Sequence, residues 1–410
     1  MYTDLSKMVP DNPYFLLTPG PLSTSKQVRA ALLYDMCTWD KDFTGLTQQV
    51  RGKLCALLGE KAAEYTCVLM QGSGTFSVEA VIGSALPKEG KLLIMANGHY
   101  GLRMAKIAQC LGIDHTLLDF GEDSPVDMAR YEEALRSDPR LTHVAVVHVE
   151  TSTGILNPAR AIGGMARKAG KIFILDAMSS FGGLAEDFSL MGADFIIASS
   201  NKCIQGIPGI GFVLARRDIM GQLKGNARSL SLDLYNQWKE MEDKNGKWRY
   251  TAPTHALRAL DVALDQLAEE GGPQGRWQRL AANQKKLTQG MRDLGFETLL
   301  PDAHHSPIIT TFRYHQKPGF TFEKMYDALK KKGFIIYPGK ITTADTFRLG
   351  NIGEVASEDI DTLLVGMKDA LEQLAINKAL DHQVFVFGYE QFYLIKELRK
   401  SFIVAPLAFF

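Results

Sequence analysis

The chain has 410 residues, 46% of them hydrophobic and 22% charged, with 46 Lys plus Arg against 46 Asp plus Glu. That length predicts more than one domain, and the balanced charge gives no electrostatic reason to expect nucleic acid or an anionic membrane as partner. The five cysteines are widely spaced without a CxxC, and the nine histidines show no HxxxH or HExxH, which argues against a disulfide framework and against a metal site.

The N-terminal MYTDLSKMVPDNPY has no basic segment leading into an apolar run, so no signal peptide is expected. No stretch approaches the ~18 apolar residues of a membrane span, and a cytoplasmic protein is the expectation. From about residue 65 to 215, short apolar runs alternate with segments of helical length. The runs are Thr66–Met70, Leu92–Met95, Val144–Val149, Ile172–Leu175, Phe195–Ala198 and Ile210–Ala215. They do not alternate with polar residues, which is the pattern of strands buried on both faces of a parallel sheet. Amphipathic segments such as Arg160–Ala169 lie between them, so the region reads as α/β.

Residues 220–280 are polar and helix-biased, and Trp277–Leu294 predicts a long helix stopped by Gly295. A strand over Ile308–Phe312, a helix over Thr321–Lys331, a strand over Phe334–Tyr337 and a helix over about Ser357–Ile376 make a smaller α+β unit. The domain boundaries expected are 1–275 and 276–376, with an aromatic-rich extension over 377–410 to which no chemistry is assigned.

Four segments carry chemistry. Gln71–Thr75 (QGSGT) follows a predicted strand and opens a helix, where backbone N–H groups and the hydroxyls of Ser73 and Thr75 can receive a phosphate. A tight turn with no ligand fits that segment equally well. Asp176 ends the run Ile172–Leu175; a buried carboxylate there needs a partner, either a helix it caps at Ala177–Ser180 or a cationic ring nitrogen. Lys202, in Ser199–Cys203 after the next run, is set among small residues and can reach a cofactor aldehyde, although a structural lysine is also compatible. Arg348, in Phe347–Asn351, can clamp an anion with its planar fork or pair with Glu354. Their order matches the layout of an enzyme that carries pyridoxal phosphate on a lysine.

At this point the chain resembles the class V aminotransferases, from about Tyr14 to about Ile376. The matching segments are LLTPGPL (Leu16–Leu22), CTWD (Cys37–Asp40), LMQGSG (Leu69–Gly74), DAMSSFGG (Asp176–Gly183) and NKCIQG (Asn201–Gly206). RSLSLDLY (Arg228–Tyr235), HSPIIT (His305–Thr310), YPGK (Tyr337–Lys340) and FRLGNIGE (Phe347–Glu354) complete the set. CTWD and RSLSLDLY favour the branch whose substrates are 2-aminoethylphosphonate and pyruvate over alanine–glyoxylate and serine–pyruvate relatives.

The resemblance implies fold type I: a large domain with a mainly parallel sheet of the seven-stranded type flanked by helices, and a smaller α+β domain. It implies that Lys202 forms a Schiff base with pyridoxal 5'-phosphate and that Asp176 pairs with the ring nitrogen. Ser73, Gly74 and Thr75 would hold the phosphate, Tyr100 would stack on the ring, Met178 would cover its other face, and Thr151 would bond its phenolic oxygen. Tyr100 and Met178 as plain core residues remain open. Thr251 would reach the phosphate of the neighbouring subunit, which implies a homodimer. Arg348 would bind the substrate carboxylate and the phosphonate. A lyase on a related aminophosphonate and a non-catalytic regulatory protein on the same fold are the remaining readings. The second lacks room for a DNA-binding module before the matched region.

Overall fold

The computed structural model describes residues 5–341 and 343–373. The extension expected over 377–410 and the end of the helix expected to reach Ile376 lie outside the described residues. The six apolar runs, together with a strand at Asp114–Asp119 not among them, become a seven-stranded sheet: β1 (Tyr65–Gln71), β2 (Lys91–Ala96), β3 (Asp114–Asp119), β4 (Leu141–Val147), β5 (Ile172–Asp176), β6 (Phe195–Ser199) and β7 (Ile210–Arg216). Their order is β1-β7-β6-β5-β4-β2-β3. Only β7 runs antiparallel to its neighbours, β1 and β6.

Alternate residues of each strand enter different apolar layers. Phe173 and Leu175 pack on one side with helices Lys41–Ala56 and Thr254–Glu269, while Ile174 packs on the other with α1 (Gly74–Ala85) and α2 (His99–Cys110). All three of these β5 residues are fully buried. Burying each such side chain is worth about 1.5–3 kcal/mol, so a run apolar on both faces is stable only between two helical layers.

The long helix α3 (Gly272–Asp293) leads into a second unit with the antiparallel strands β8 (Ile309–Arg313), β9 (Tyr337–Pro338) and β10 (Thr346–Gly350) in the order β8-β10-β9. Residues 357–373 are helical. The core of this unit holds Phe296, Phe312 and Phe347, with Phe312 and Phe347 stacked at 5.7 Å. Gly295 stops the preceding helix at a left-handed φ of 86°.

The two units are tied at α3 and at the N-terminal segment. Arg276 bonds Glu270 and the carbonyl of Cys203, and Arg279 bonds Glu270 and the carbonyls of Gly353 and Val355. Phe15–Leu16 forms a parallel pair with Phe334–Ile335, so the chain's first strand belongs to the sheet structure of the second unit.

Candidate active site

The carboxyl ends of β1, β4, β5 and β6 converge on one cavity. Its walls include Ser73, Gly74, Thr75, Tyr100, Arg103, Thr151, Asp176, Met178, Asn201 and Lys202. Eight residues singled out from the sequence therefore meet in one place: Ser73, Gly74, Thr75, Tyr100, Thr151, Asp176, Met178 and Lys202.

Ser73 is the N-terminal flank of α1, with extended backbone and no side-chain cap, so the first N–H groups of the helix face the cavity without a side-chain acceptor. That end of the helix carries positive partial charge. The helix begins at Gly74, within the QGSGT segment. A Cβ on Gly74 would collide with Met178, which lies against this turn.

Asp176 ends β5 and is 6% exposed. One oxygen accepts the backbone N–H of Met178 at 2.9 Å. Burial pushes its carboxyl up to about 7, and the charge of Glu150 pushes the same way. The residue thus does cap a turn, as one sequence alternative held, and it also faces the cavity.

Lys202 follows β6 in a tight turn. Gln205 N donates to the Lys202 carbonyl at 2.8 Å, and Gln205 takes a left-handed φ of 64°, uncommon for a residue with a Cβ. The ammonium donates to the carbonyls of Pro19 at 2.6 Å and Gly20 at 3.2 Å. Gly20 is required at this approach: a Cβ there would come within 2.7 Å of Lys202 Cδ, and its φ is 100°. Burial brings the Lys202 ammonium down to about 8, and the cations Arg348 and Lys340 act in the same direction.

Arg348 projects from β10 of the second unit and is 2% exposed. Its Nη1 donates to the carbonyl of Thr151 at 2.8 Å and its Nε to that of Pro338 at 3.0 Å. The pairing with Glu354 entertained from the sequence is not formed; the backbone N–H of Glu354 instead bonds the Ser23 carbonyl. Thr251 is exposed and stands outside the cavity wall.

Two residues of the site were not singled out from the sequence. Glu150 is fully buried and accepts the N–H groups of Tyr100 and Gly101 at the start of α2, together with the N–H and hydroxyl of Ser152. Burial raises its carboxyl above the usual range. Arg103, one turn after Tyr100, donates to the Thr75 hydroxyl at 3.0 Å and lies 4.8 Å from the centre of the Tyr100 ring. Among the described residues no group of His, Cys, Asp and Glu is arranged to hold a metal ion, and no helix is long and apolar enough to cross a membrane.

The model of the aminotransferase class-V family matches residues 24–356. A 2-aminoethylphosphonate–pyruvate transaminase of Syntrophobacter fumaroxidans is 56% identical over 364 residues, covering 89% of this chain and 98% of its own. One from Bacillus cytotoxicus is 53% identical, with 86% and 96% covered. Among solved structures, a pyridoxamine–pyruvate aminotransferase from Mesorhizobium loti superposes with a TM-score of 0.81 at 23% identity, covering 93% of this chain and 98% of its own. A ureidoglycine–glyoxylate aminotransferase from Bacillus subtilis gives 0.80 at 22%, with 89% and 95% covered. The last two bear on the fold alone.

Proposed function

The chain belongs to the class V aminotransferases, and on that premise we propose that it moves the amino group of 2-aminoethylphosphonate to pyruvate, giving phosphonoacetaldehyde and L-alanine. It is a pyridoxal-phosphate-dependent aminotransferase. The observation that carries the proposal is one cavity walled by a lysine of lowered basicity and a buried, under-partnered carboxylate, with Arg348 behind it. The donor is the substrate named for relatives at 53% and 56% identity, which favours it over alanine–glyoxylate or serine–pyruvate exchange.

The cavity suits the cofactor. An Asp176 carboxylate destabilised by burial regains energy beside a cationic ring nitrogen, and the open start of α1 can take a phosphate. Pyridoxal phosphate, when bound, supplies an electrophilic aldehyde and a protonated ring that accepts the electron pair released at the substrate carbon. Lys202 supplies the amine that holds the cofactor. Freed from that role, Lys202 Nζ would act as the base that takes the proton from the amine-bearing carbon of the donor, and in the pyruvate half-reaction it would deliver a proton to the carbon that becomes the amine-bearing centre of L-alanine. Asp176 keeps the ring nitrogen protonated. The α1 turn of Ser73, Gly74 and Thr75 would anchor the phosphate, Tyr100 and Met178 would pack against the ring, and Thr151 would bond its phenolic oxygen. Arg348 receives the anionic end of each substrate.

The same reading takes 1–275 as the cofactor-binding unit, 276–376 as the smaller unit, and the protein as a cytoplasmic homodimer. Tyr250 and Phe76, 49% and 50% exposed, neighbour Thr251 and Thr75 in the chain, and Trp39 and Leu230 are 82% and 77% exposed. Apolar side chains of that size suit burial against a second copy that brings Thr251 to the partner's phosphate. Sedimentation at twice the chain mass is expected, and a monomer that is active at nanomolar concentration would remove the role of Thr251.

Adding 2-aminoethylphosphonate to the holoenzyme without pyruvate should convert the cofactor's visible band to that of its amine form, and pyruvate should restore it. A spectrum that responds to alanine or serine but not to the phosphonate would overturn the choice of donor. Arg348→Ala should weaken both substrates by about 100-fold or more, the loss expected for two charge-assisted hydrogen bonds. An unchanged pyruvate half-reaction in that variant would refute the role of Arg348.

A further inference from the structure

The hairpin that carries Arg348 also fixes a second cation. Strand β9 pairs with β10 in the register Tyr337 to Arg348 and Pro338 to Phe347. Gly339 N then donates to the Thr346 carbonyl at 2.9 Å, and a Cβ on Gly339 would collide with Thr346. Lys340 therefore leaves the hairpin at a fixed point. Its Nζ lies 5.0 Å from the centre of the Tyr100 ring. Arg348 touches the same surroundings, with its guanidinium 5.2 Å from the Tyr337 ring and the Tyr100 phenol acting on it.

Arg103, Lys340 and Arg348 thus gather around Tyr100, and among the described residues none of them forms an ion pair with a carboxylate. Glu150 exerts some attraction on Lys340, but its oxygens are already engaged by Tyr100, Gly101 and Ser152. Burial, then Arg103, then Arg348, lowers the basicity of Lys340. Like charges held close at partial burial repel, and an arriving anion relieves that repulsion. Arg103 is engaged at Thr75, on the side where the cofactor phosphate is anchored. Lys340 and Arg348 are the pair left for substrate.

We propose that Lys340 is a specificity-determining residue: its ammonium and the Arg348 guanidinium form a two-cation seat for the phosphonate of the donor, whereas the carboxylate of the acceptor is served by Arg348. This inference rests on the functional reading above. The chemistry separates the two anions. A carboxylate has one charge and two oxygens, which a guanidinium fork satisfies. A phosphonate, like a phosphate monoester, has three oxygens and approaches two charges at neutral pH. Its third oxygen and second charge call for a further donor, and a lysine acts there as a compact point charge.

The test compares the two half-reactions of wild-type, Lys340→Gln and Lys340→Arg holoenzymes by stopped-flow absorbance. In Lys340→Gln the apparent affinity for 2-aminoethylphosphonate should fall at least about tenfold further than that for pyruvate, a differential of the size of one charged contact. L-Alanine, driven through the reverse half-reaction, should lose no more than pyruvate, and Lys340→Arg should recover most of the donor affinity. Equal losses for phosphonate and carboxylates, or no loss for the phosphonate, would overturn the inference while leaving the reaction assignment intact. A wild-type enzyme that does not convert with 2-aminoethylphosphonate would overturn both.

Discussion

Lys202→Ala is expected to lose at least about 10⁴-fold in turnover, because the proposed reaction uses Lys202 both as the amine that holds the cofactor and as the base that moves the substrate proton. The variant should also lose the visible absorbance of the cofactor–lysine linkage while retaining its melting behaviour, since among the described residues the ammonium bonds only the carbonyls of Pro19 and Gly20. Wild-type transamination in this variant would end the assignment. The lowered basicity adds a second readout. The neutral amine is the nucleophile, so capture of pyridoxal phosphate by the apoenzyme should accelerate as pH rises and level off above about 8. An inflection near the ordinary lysine value of 10.5 would mean that burial does not act on Lys202 as described.

Asp176→Asn should separate catalysis from stability. Loss of the charge proposed to keep the ring nitrogen protonated is expected to cost about 10²-fold or more in turnover, the scale of a lost preorganised electrostatic contact. The apoenzyme should respond in the opposite sense. The folded carboxyl titrates near 7 against 3.8 for the free group. The folded state therefore holds the extra proton, and stability falls as pH rises through that window. Three pH units correspond to about 4 kcal/mol at most. Asparagine carries no such penalty, so the variant apoenzyme should melt higher than wild type at pH 8, with the gap closing near pH 4.5. A variant that is less stable than wild type at both pH values would show that the carboxylate is already satisfied without a cation.

Much of this could be read from the chain alone, for reasons that differ by residue. Strands buried on both faces write themselves as continuous apolar runs, so β1, β2 and β4 to β7 were visible. β3 was missed because its DHTLLD is partly exposed along its length, whereas β1 at the other edge of the sheet is buried. The antiparallel direction of β7 leaves no trace in composition, since its burial is the same either way. Lys202 and Asp176 were legible because each follows an apolar run directly, where a charged group is conspicuous. Glu150 was not, because its partners are backbone N–H groups of a helix 50 residues away in the chain, which no side-chain motif announces. Arg103 could have been found from its position one helical turn after Tyr100. For Arg348 the sequence offered Glu354 as a partner, yet the fold turns that carboxylate's backbone toward Ser23 and gives the arginine two carbonyls instead.

The N-terminal segment has a mechanical consequence. Leu17 is hydrogen-bonded into the second unit, its N–H donating to the Ile335 carbonyl and its carbonyl accepting the Gly350 N–H, and Pro19, two positions later, holds the Lys202 ammonium of the first. Two residues reach about 7 Å at full extension, so the connection is short. It works as a short tie-rod: a displacement of the second unit beyond that reach must break the hydrogen bonds of Leu17 or pull the Pro19 and Gly20 carbonyls off the lysine. The amine is therefore most restrained in the stance seen here, and any closing stroke of the smaller unit would change its freedom in the same movement.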